Sequence, residues 1–261
     1  MPDDAPAAWT TLHPRGERAE HARLRIFCFP CAGGEPALYR DWPDMFDDAL
    51  ISVAHLRGRG LRRREQPLRS IAAIVDELAG SIPALLDRPF VFFGHSMGGW
   101  LAYELARELR RRKLPLPDHM VLSASLPMTI SRLPPFVHRM SVERLAAELR
   151  VLGGTPDVIL DDLRALELYQ PAIQADFEAF ETHAFRPGPP LAVEASIWSA
   201  IDDPRVPVAL MPLWHDLFDG DCRDVHFEGG HMFISDPASR VRLRRMLAAV
   251  IDRLTSVPGV A

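Results

Sequence analysis

Short apolar runs alternate along this chain with longer stretches in which apolar residues recur every three or four positions. Leu24–Phe29 and residues 51–56, 90–93, 120–124 and 192–198 are brief and largely apolar, the pattern of strands buried on both faces. Between them Ile71, Ile74, Val75, Leu78, Ile82 and Leu85 fall on one helix face, and Leu101, Leu105 and Leu109 on another. Met246, Leu247, Val250 and Leu254 mark a third helix over residues 241–254. Strands alternating with helices predict an α/β chain with a mostly parallel central sheet and helices on both faces.

Residues 131–187 interrupt this alternation. They hold helical pattern punctuated by Pro and Gly, with no strand-like run. Leu145, Leu149 and Leu152 form one short stripe, and Val158, Leu160, Leu163 and Leu166 a second. A helical insertion between two sheet strands reads as a lid over a site, carried by a single domain spanning 1–261. The plainer alternative is a peripheral helical pair with no gating role.

Composition changes the picture mainly by exclusion. Hydrophobic residues make up 48% and charged residues 25% of the 261, enough for a sizeable core. A net charge of -5 argues against nucleic acid as a partner. No apolar run approaches the roughly 20 residues of a membrane-spanning helix. The N-terminal MPDDAPAAWT is acidic and lacks the layout of a secretory signal, so the expectation is a cytoplasmic protein, with a monomer as the default. Three cysteines fit a reducing compartment better than a disulfide framework. Cys28 and Cys31 form a C-x-x-C, but Cys28 ends an apolar run instead of opening a helix, where a redox thiol is activated. A zinc site wants a second ligand pair, and Cys222 is the only other cysteine, so no metal is expected.

The chemistry concentrates at Gly94-His95-Ser96-Met97-Gly98, a G-x-S-x-G placed between a strand and a helix. That is the setting of the nucleophile elbow of α/β-hydrolases, in which a sharp turn lifts the serine to the top of the sheet. A serine hydroxyl needs a base. His231 follows Gly229-Gly230 after the strand-like 224–227 and precedes the last helix, which makes it the first choice. His226 is the fallback, His215 is third, and His95 more naturally packs beneath the elbow. The base needs an acid between serine and histidine in the chain. Asp203 is favoured because Pro204 stiffens the loop behind it, with Asp202 as the alternative. Two backbone N–H groups should form an oxyanion hole. Met97 supplies one, and Ala32, or else its neighbour Cys31, supplies the other from Pro30-Cys31-Ala32-Gly33-Gly34.

Taken together these segments resemble the free-standing type II thioesterases of polyketide and nonribosomal peptide assembly lines. Phe29-Pro30-Cys31-Ala32-Gly33-Gly34 is similar to that family's opening loop, and Gly58-Arg59-Gly60 with Arg62 and Glu65 to its G-R-G segment. Gly94 to Gly99 matches its G-H-S-M-G-G elbow, and Gly229-Gly230-His231 its terminal G-G-H. Leu152-Gly153-Gly154-Thr155-Pro156 and Ala175-Asp176-Phe177 resemble landmarks of its lid. Departures are Cys31 in place of a common His, Arg57 for Pro, Gln174 for Arg and Ala200 for Gly. None of these removes a triad candidate. The resemblance implies hydrolysis of acyl thioesters on the phosphopantetheine arm of acyl- or peptidyl-carrier proteins, with no metal or bound cofactor. A general carboxylesterase or an acyltransferase on small soluble substrates is the competing reading. Two basic runs, Arg57, Arg59, Arg62, Arg63 and Arg64 in one and residues 110–113 in the other, are candidate docking surfaces for an acidic carrier.

Overall fold

The computed structural model describes residues 8–13, 22–46 and 48–256. Seven of the ten residues of the N-terminal segment discussed above therefore lie outside the described residues. Seven strands form one sheet in the order β1-β3-β2-β4-β5-β6-β7. They are β1 (Trp9–Leu12), β2 (Leu24–Phe29), β3 (Ala49–Ala54), β4 (Phe90–His95), β5 (His119–Ser123), β6 (Glu194–Ala200) and β7 (Cys222–Phe227). Strands β2 to β7 are mutually parallel, and β1 is antiparallel to β3 at one edge.

Side-chain alternation in β2 sets the two layers. Phe27 and Phe29 face one side with Phe90 and Phe92, beneath helices α1 (Ile71–Ser81) and α2 (Met97–Arg111). Ile26 and Cys28 face the other with Val91 and Phe93, beneath helix α6 (Pro237–Ser256). Each fully buried Phe contributes roughly 1.5–3 kcal/mol, so these aromatic rows supply much of the sheet's adhesion to its helices.

Several boundaries differ from expectation. Strand β3 starts at Ala49 and ends at Ala54, two residues earlier than predicted, because Leu24 of β2 pairs with Ala49 and Cys28 with Val53. Strand β6 runs on to Ala200 because β7 pairs with it as far as Phe227. Strand β1 was not predicted, since four residues are too few to show a period. Its Trp9 packs edge-on against Phe27 and Phe29, with ring centroids 4.9 and 5.5 Å apart. Residues 131–187 hold α3 (Val142–Leu152), α4 (Asp157–Leu160) and α5 (Leu163–Glu181), which share a separate small core around Leu145, Leu149, Leu160 and Leu166. Val158 leaves its expected stripe and is 74% exposed, because α4 is a single turn that cannot present one face with α5. No helix among the described residues is long and apolar enough to cross a membrane.

Candidate active site

Because β2, β4, β6 and β7 are parallel, the loops that follow them open at the same edge of the sheet. The chain leaves β2 for β3 on one side and returns to β4 on the other, and such a switch point leaves a crevice between diverging connections. The loop after β2 carries Ala32, Ser96 follows β4, Asp203 follows β6 and His231 follows β7. Four distant segments thus meet by topology alone.

Ser96 adopts φ 55° and ψ -121°, a conformation that L-residues occupy only at a cost of about 1–3 kcal/mol. The surroundings enforce it. Its N–H donates to the Ser123 carbonyl at 2.7 Å, while its own carbonyl accepts from Gly99 N–H at 3.0 Å. A Cβ at Gly94 would come within 2.6 Å of the Gly99 Cα, and one at Gly98 would run into the Phe29 carbonyl. The two glycines allow helix α2 to start directly against the ends of β2 and β4, which leaves the serine at its N-terminus.

His231 Nε2 lies 2.9 Å from Ser96 Oγ, and its Nδ1 lies 2.8 Å from Asp203 Oδ2. The Asp203 side chain is fully buried, and its Oδ1 accepts the Arg205 and Val206 N–H groups at 2.8 and 3.1 Å. Those two bonds aim the remaining oxygen at the imidazole. Asp202 is exposed, and among the described residues its one hydrogen bond is a backbone bond from its N–H to the Gly229 carbonyl, at 3.0 Å. His226 instead bonds Ser199 at 2.8 Å, and His215 bonds Asp224 at 3.1 Å. His95 is fully buried beneath the elbow, with its Nδ1 3.0 Å from Ser123 Oγ. Burial first, and the adjacent His231 second, hold its pKa well below the ordinary imidazole value.

Met97 is the first residue of α2, so its N–H has no partner within the helix. The Ala32 N–H also finds no acceptor among the described residues. Ala32, Ser96 and His231 line a cavity of about 670 Å³ whose far wall comes from the helical section, including Leu149, Ile159 and Phe177. Its size falls within the usual range for small-molecule sites. Arg132 is a cation in this wall, 4.0 Å over the Phe180 ring and 4.6 Å over that of Trp100, with its pKa lowered by burial to about 10. Cys31 borders the cavity too, but burial, helped by Asp176, pushes its thiol up to about 11. Cys28 is raised well above the usual thiol range by burial. Neither thiol has the depressed pKa of a redox pair. Among the described residues no cluster of three or more His, Cys, Asp or Glu side chains is placed to hold a metal ion.

Two charged residues at this site stand apart from expectation, since Arg59 reads in the sequence as part of a docking run and Asp176 carries no role there. Arg59 and Asp176 form a buried bidentate pair at 2.6 and 2.7 Å, and Asp176 Oδ2 also accepts the Gly33 N–H at 2.7 Å. Their signals in the sequence are membership of the G-R-G and Ala-Asp-Phe segments and, for Arg59, of the basic run. The basic docking run is correspondingly smaller than expected. Arg59 and Arg62 are buried, and Arg62 pairs with Glu65 and Glu77, so Arg63 and Arg64 are the exposed members. In the second run Arg111 and Arg112 pair with Glu108, and Arg110 donates to the Pro189 and Pro190 carbonyls.

Comparison with known proteins agrees with this architecture. Residues 24–250 match the thioesterase domain family. The chain is 29% identical over 214 residues to the gramicidin S biosynthesis protein GrsT of Aneurinibacillus migulanus, covering 82% of this chain and 84% of that one. Among solved structures it resembles RedJ, a thioesterase from the prodiginine pathway of Streptomyces coelicolor. The TM-score is 0.84 at 32% identity, covering 95% of this chain and 96% of that one. BorB, a type II thioesterase from the borrelidin biosynthetic cluster, superposes with a TM-score of 0.80 at 31% identity, covering 92% and 94%.

Proposed function

The chain belongs to the thioesterase domain family and has its α/β-hydrolase fold, and from that premise we propose that it hydrolyses acyl groups from the phosphopantetheine arm of acyl- or peptidyl-carrier proteins. One observation carries the reading: Ser96, His231 and Asp203 are joined by hydrogen bonds of 2.9 and 2.8 Å at the floor of a largely apolar cavity. In this reading His231 Nε2 removes the Ser96 proton as Oγ attacks the thioester carbonyl. Asp203 holds the imidazole tautomer and stabilises the imidazolium that forms. The Met97 and Ala32 N–H groups receive the oxyanion. A thiol with a pKa near ~8.5 leaves with little help from a general acid. His231 then activates a water that releases the free acid and regenerates Ser96.

This chemistry uses the chain's own side chains and asks for no metal or bound cofactor. The enzyme acts as a cytoplasmic monomer, and its helical section over 131–187 serves as the lid of the acyl cavity. Arg63 and Arg64, exposed beside the G-R-G segment, are the basic residues offered to an acidic carrier. The role is the removal of stalled or aberrant acyl units, with product release as a variant of the same step. Incubation with acetyl- or aminoacyl-loaded carrier protein should release free acid, and Ser96→Ala should lower that rate by at least about a thousandfold. Brisk turnover of small free esters with none of any carrier-bound thioester would replace this reading with that of a general esterase.

A further inference from the structure

Helix α5 reaches from the helical section to the loop that holds Ala32, and it does so through charge. Asp176, 1% exposed, accepts both Arg59 guanidinium nitrogens and, at 2.7 Å, the Gly33 N–H. Arg59, 4% exposed, donates at 3.2 Å to the Gly34 carbonyl. The loop is therefore gripped at two successive residues, by an N–H on one and a carbonyl on the other. Gly33 has φ +73°, and a Cβ there would stand 2.9 Å from Ile173 Cγ1, so the loop backbone lies directly against α5.

Burying two charges costs several kcal/mol each before their attraction is counted, and an apolar pair of similar volume would often be at least as stabilising. An apolar pair cannot supply directed bonds to peptide groups. With its Gly33 bond formed, Asp176 commits that amide, while the N–H of the neighbouring cavity-lining Ala32 has no acceptor among the described residues. Arg59 also balances a carboxylate that would otherwise repel a nascent oxyanion.

We propose that Arg59 and Asp176 are positioning residues that set the oxyanion loop from helix α5, so that part of the catalytic geometry is held by the helical section and not by the sheet. The proposal rests on the serine-hydrolase reading above and goes beyond it. Its consequence is specific: weakening the pair should damage stabilisation of the transition state while leaving ground-state binding intact.

The test uses Asp176→Asn and Arg59→Lys. An Asn carbonyl at 176 can keep the Gly33 N–H and one Arg59 nitrogen, but its NH2 then faces the second Arg59 donor and the negative charge is gone; a lysine at 59 keeps the charge but loses the fork. Endpoint labelling with a fluorophosphonate counts intact Ser96, so every rate is expressed per labelled site. The expected result is a kcat about 10- to 100-fold lower with KM within about twofold, and an equal drop in the rate of phosphonylation. A residue that only stabilised the fold would lower the melting temperature and the labelled fraction but not these per-site rates. In the wild-type protein the Gly33 amide should exchange with solvent at least about a hundredfold more slowly than an open loop amide. Folded variants with wild-type per-site rates, or a freely exchanging Gly33 amide, would overturn the proposal. Phosphonylation requires no thioester, so a wild-type enzyme inert on carrier-bound substrates would sink the substrate reading and leave this one still decided by the labelling rates.

Discussion

Replacing Asp203 with Asn tests the site most sharply because the exchange is nearly isosteric. The Asn carbonyl can keep the two bonds that Asp203 Oδ1 accepts from the Arg205 and Val206 N–H groups. Its amide nitrogen then takes the place of Oδ2, 2.8 Å from His231 Nδ1. An N–H donor there forces the imidazole to accept at Nδ1 and to carry its proton on Nε2, which faces Ser96 Oγ at 2.9 Å. A protonated Nε2 cannot take the serine proton. Loss of the right tautomer in such triads costs about 10⁴ in kcat, or about 5 kcal/mol of transition-state stabilisation. The assay is acyl-enzyme formation followed by stopped flow with an activated ester, which needs no carrier protein. Asp203→Asn should fall by about three to four orders of magnitude with its fold unchanged by circular dichroism, and its residual rate should climb with hydroxide concentration. Asp202→Asn, at an exposed carboxylate with no side-chain hydrogen bond among the described residues, should stay within about twofold. If Asp203→Asn kept more than a tenth of wild-type activity while Asp202→Asn lost more, the geometric assignment of the acid would be refuted.

Two other outcomes follow from the same coordinates. His119 is buried at the start of β5, bonded to Ser196 Oγ at 2.9 Å, and desolvation first, then Arg253, lower its pKa to about 4. The folded protein keeps it neutral while the unfolded chain protonates near ~6.5. Stability is therefore complete above that pH and is lost as pH falls towards 4, by about 2 kcal/mol between pH 7 and pH 5. Urea midpoints at the two pH values should show His119→Gln losing correspondingly less than wild type, and equal losses would refute the assignment. Ile159 lines the cavity from the helical section and is only half-buried, so a Trp fits there by narrowing the acyl space. Ile159→Trp should cut kcat/KM for long acyl groups about tenfold relative to acetyl, as read from a graded panel of thioesters.

The parts of the site that follow strand ends were legible in the sequence, and the reason is topological. A parallel strand must end at the same edge as its neighbours, so the first polar residues after each apolar run fall together. Ser96 directly follows β4, Asp203 is three residues past β6, and His231 is four residues past β7. The periodic core was legible for the same kind of reason, because burial repeats along each element. Choosing between Asp202 and Asp203 required coordinates. Adjacent residues in a turn point in different directions, and only the backbone donors of Arg205 and Val206 select the inward carboxylate.

The arginine run at 57–64 shows why charge is harder to read than hydrophobicity. In the sequence it is a basic stripe. In the fold Arg57 meets Glu77, Arg62 meets Glu65 and Glu77, and Arg59 meets Asp176, a residue 117 positions away. An apolar side chain finds favourable burial almost anywhere in a core, so its pattern alone predicts its place. A buried arginine is tolerated only where a specific partner and specific carbonyls wait for it. Its place is therefore set by contacts that no local window contains. The same requirement makes such a residue informative once the fold is known: Arg59 and Asp176 bond the loop that carries Ala32, the proposed oxyanion donor, through its Gly33 N–H and Gly34 carbonyl. Packing alone does not call for directed bonds to Gly33 and Gly34, and an apolar pair of similar volume between α5 and the sheet edge would often be at least as stabilising.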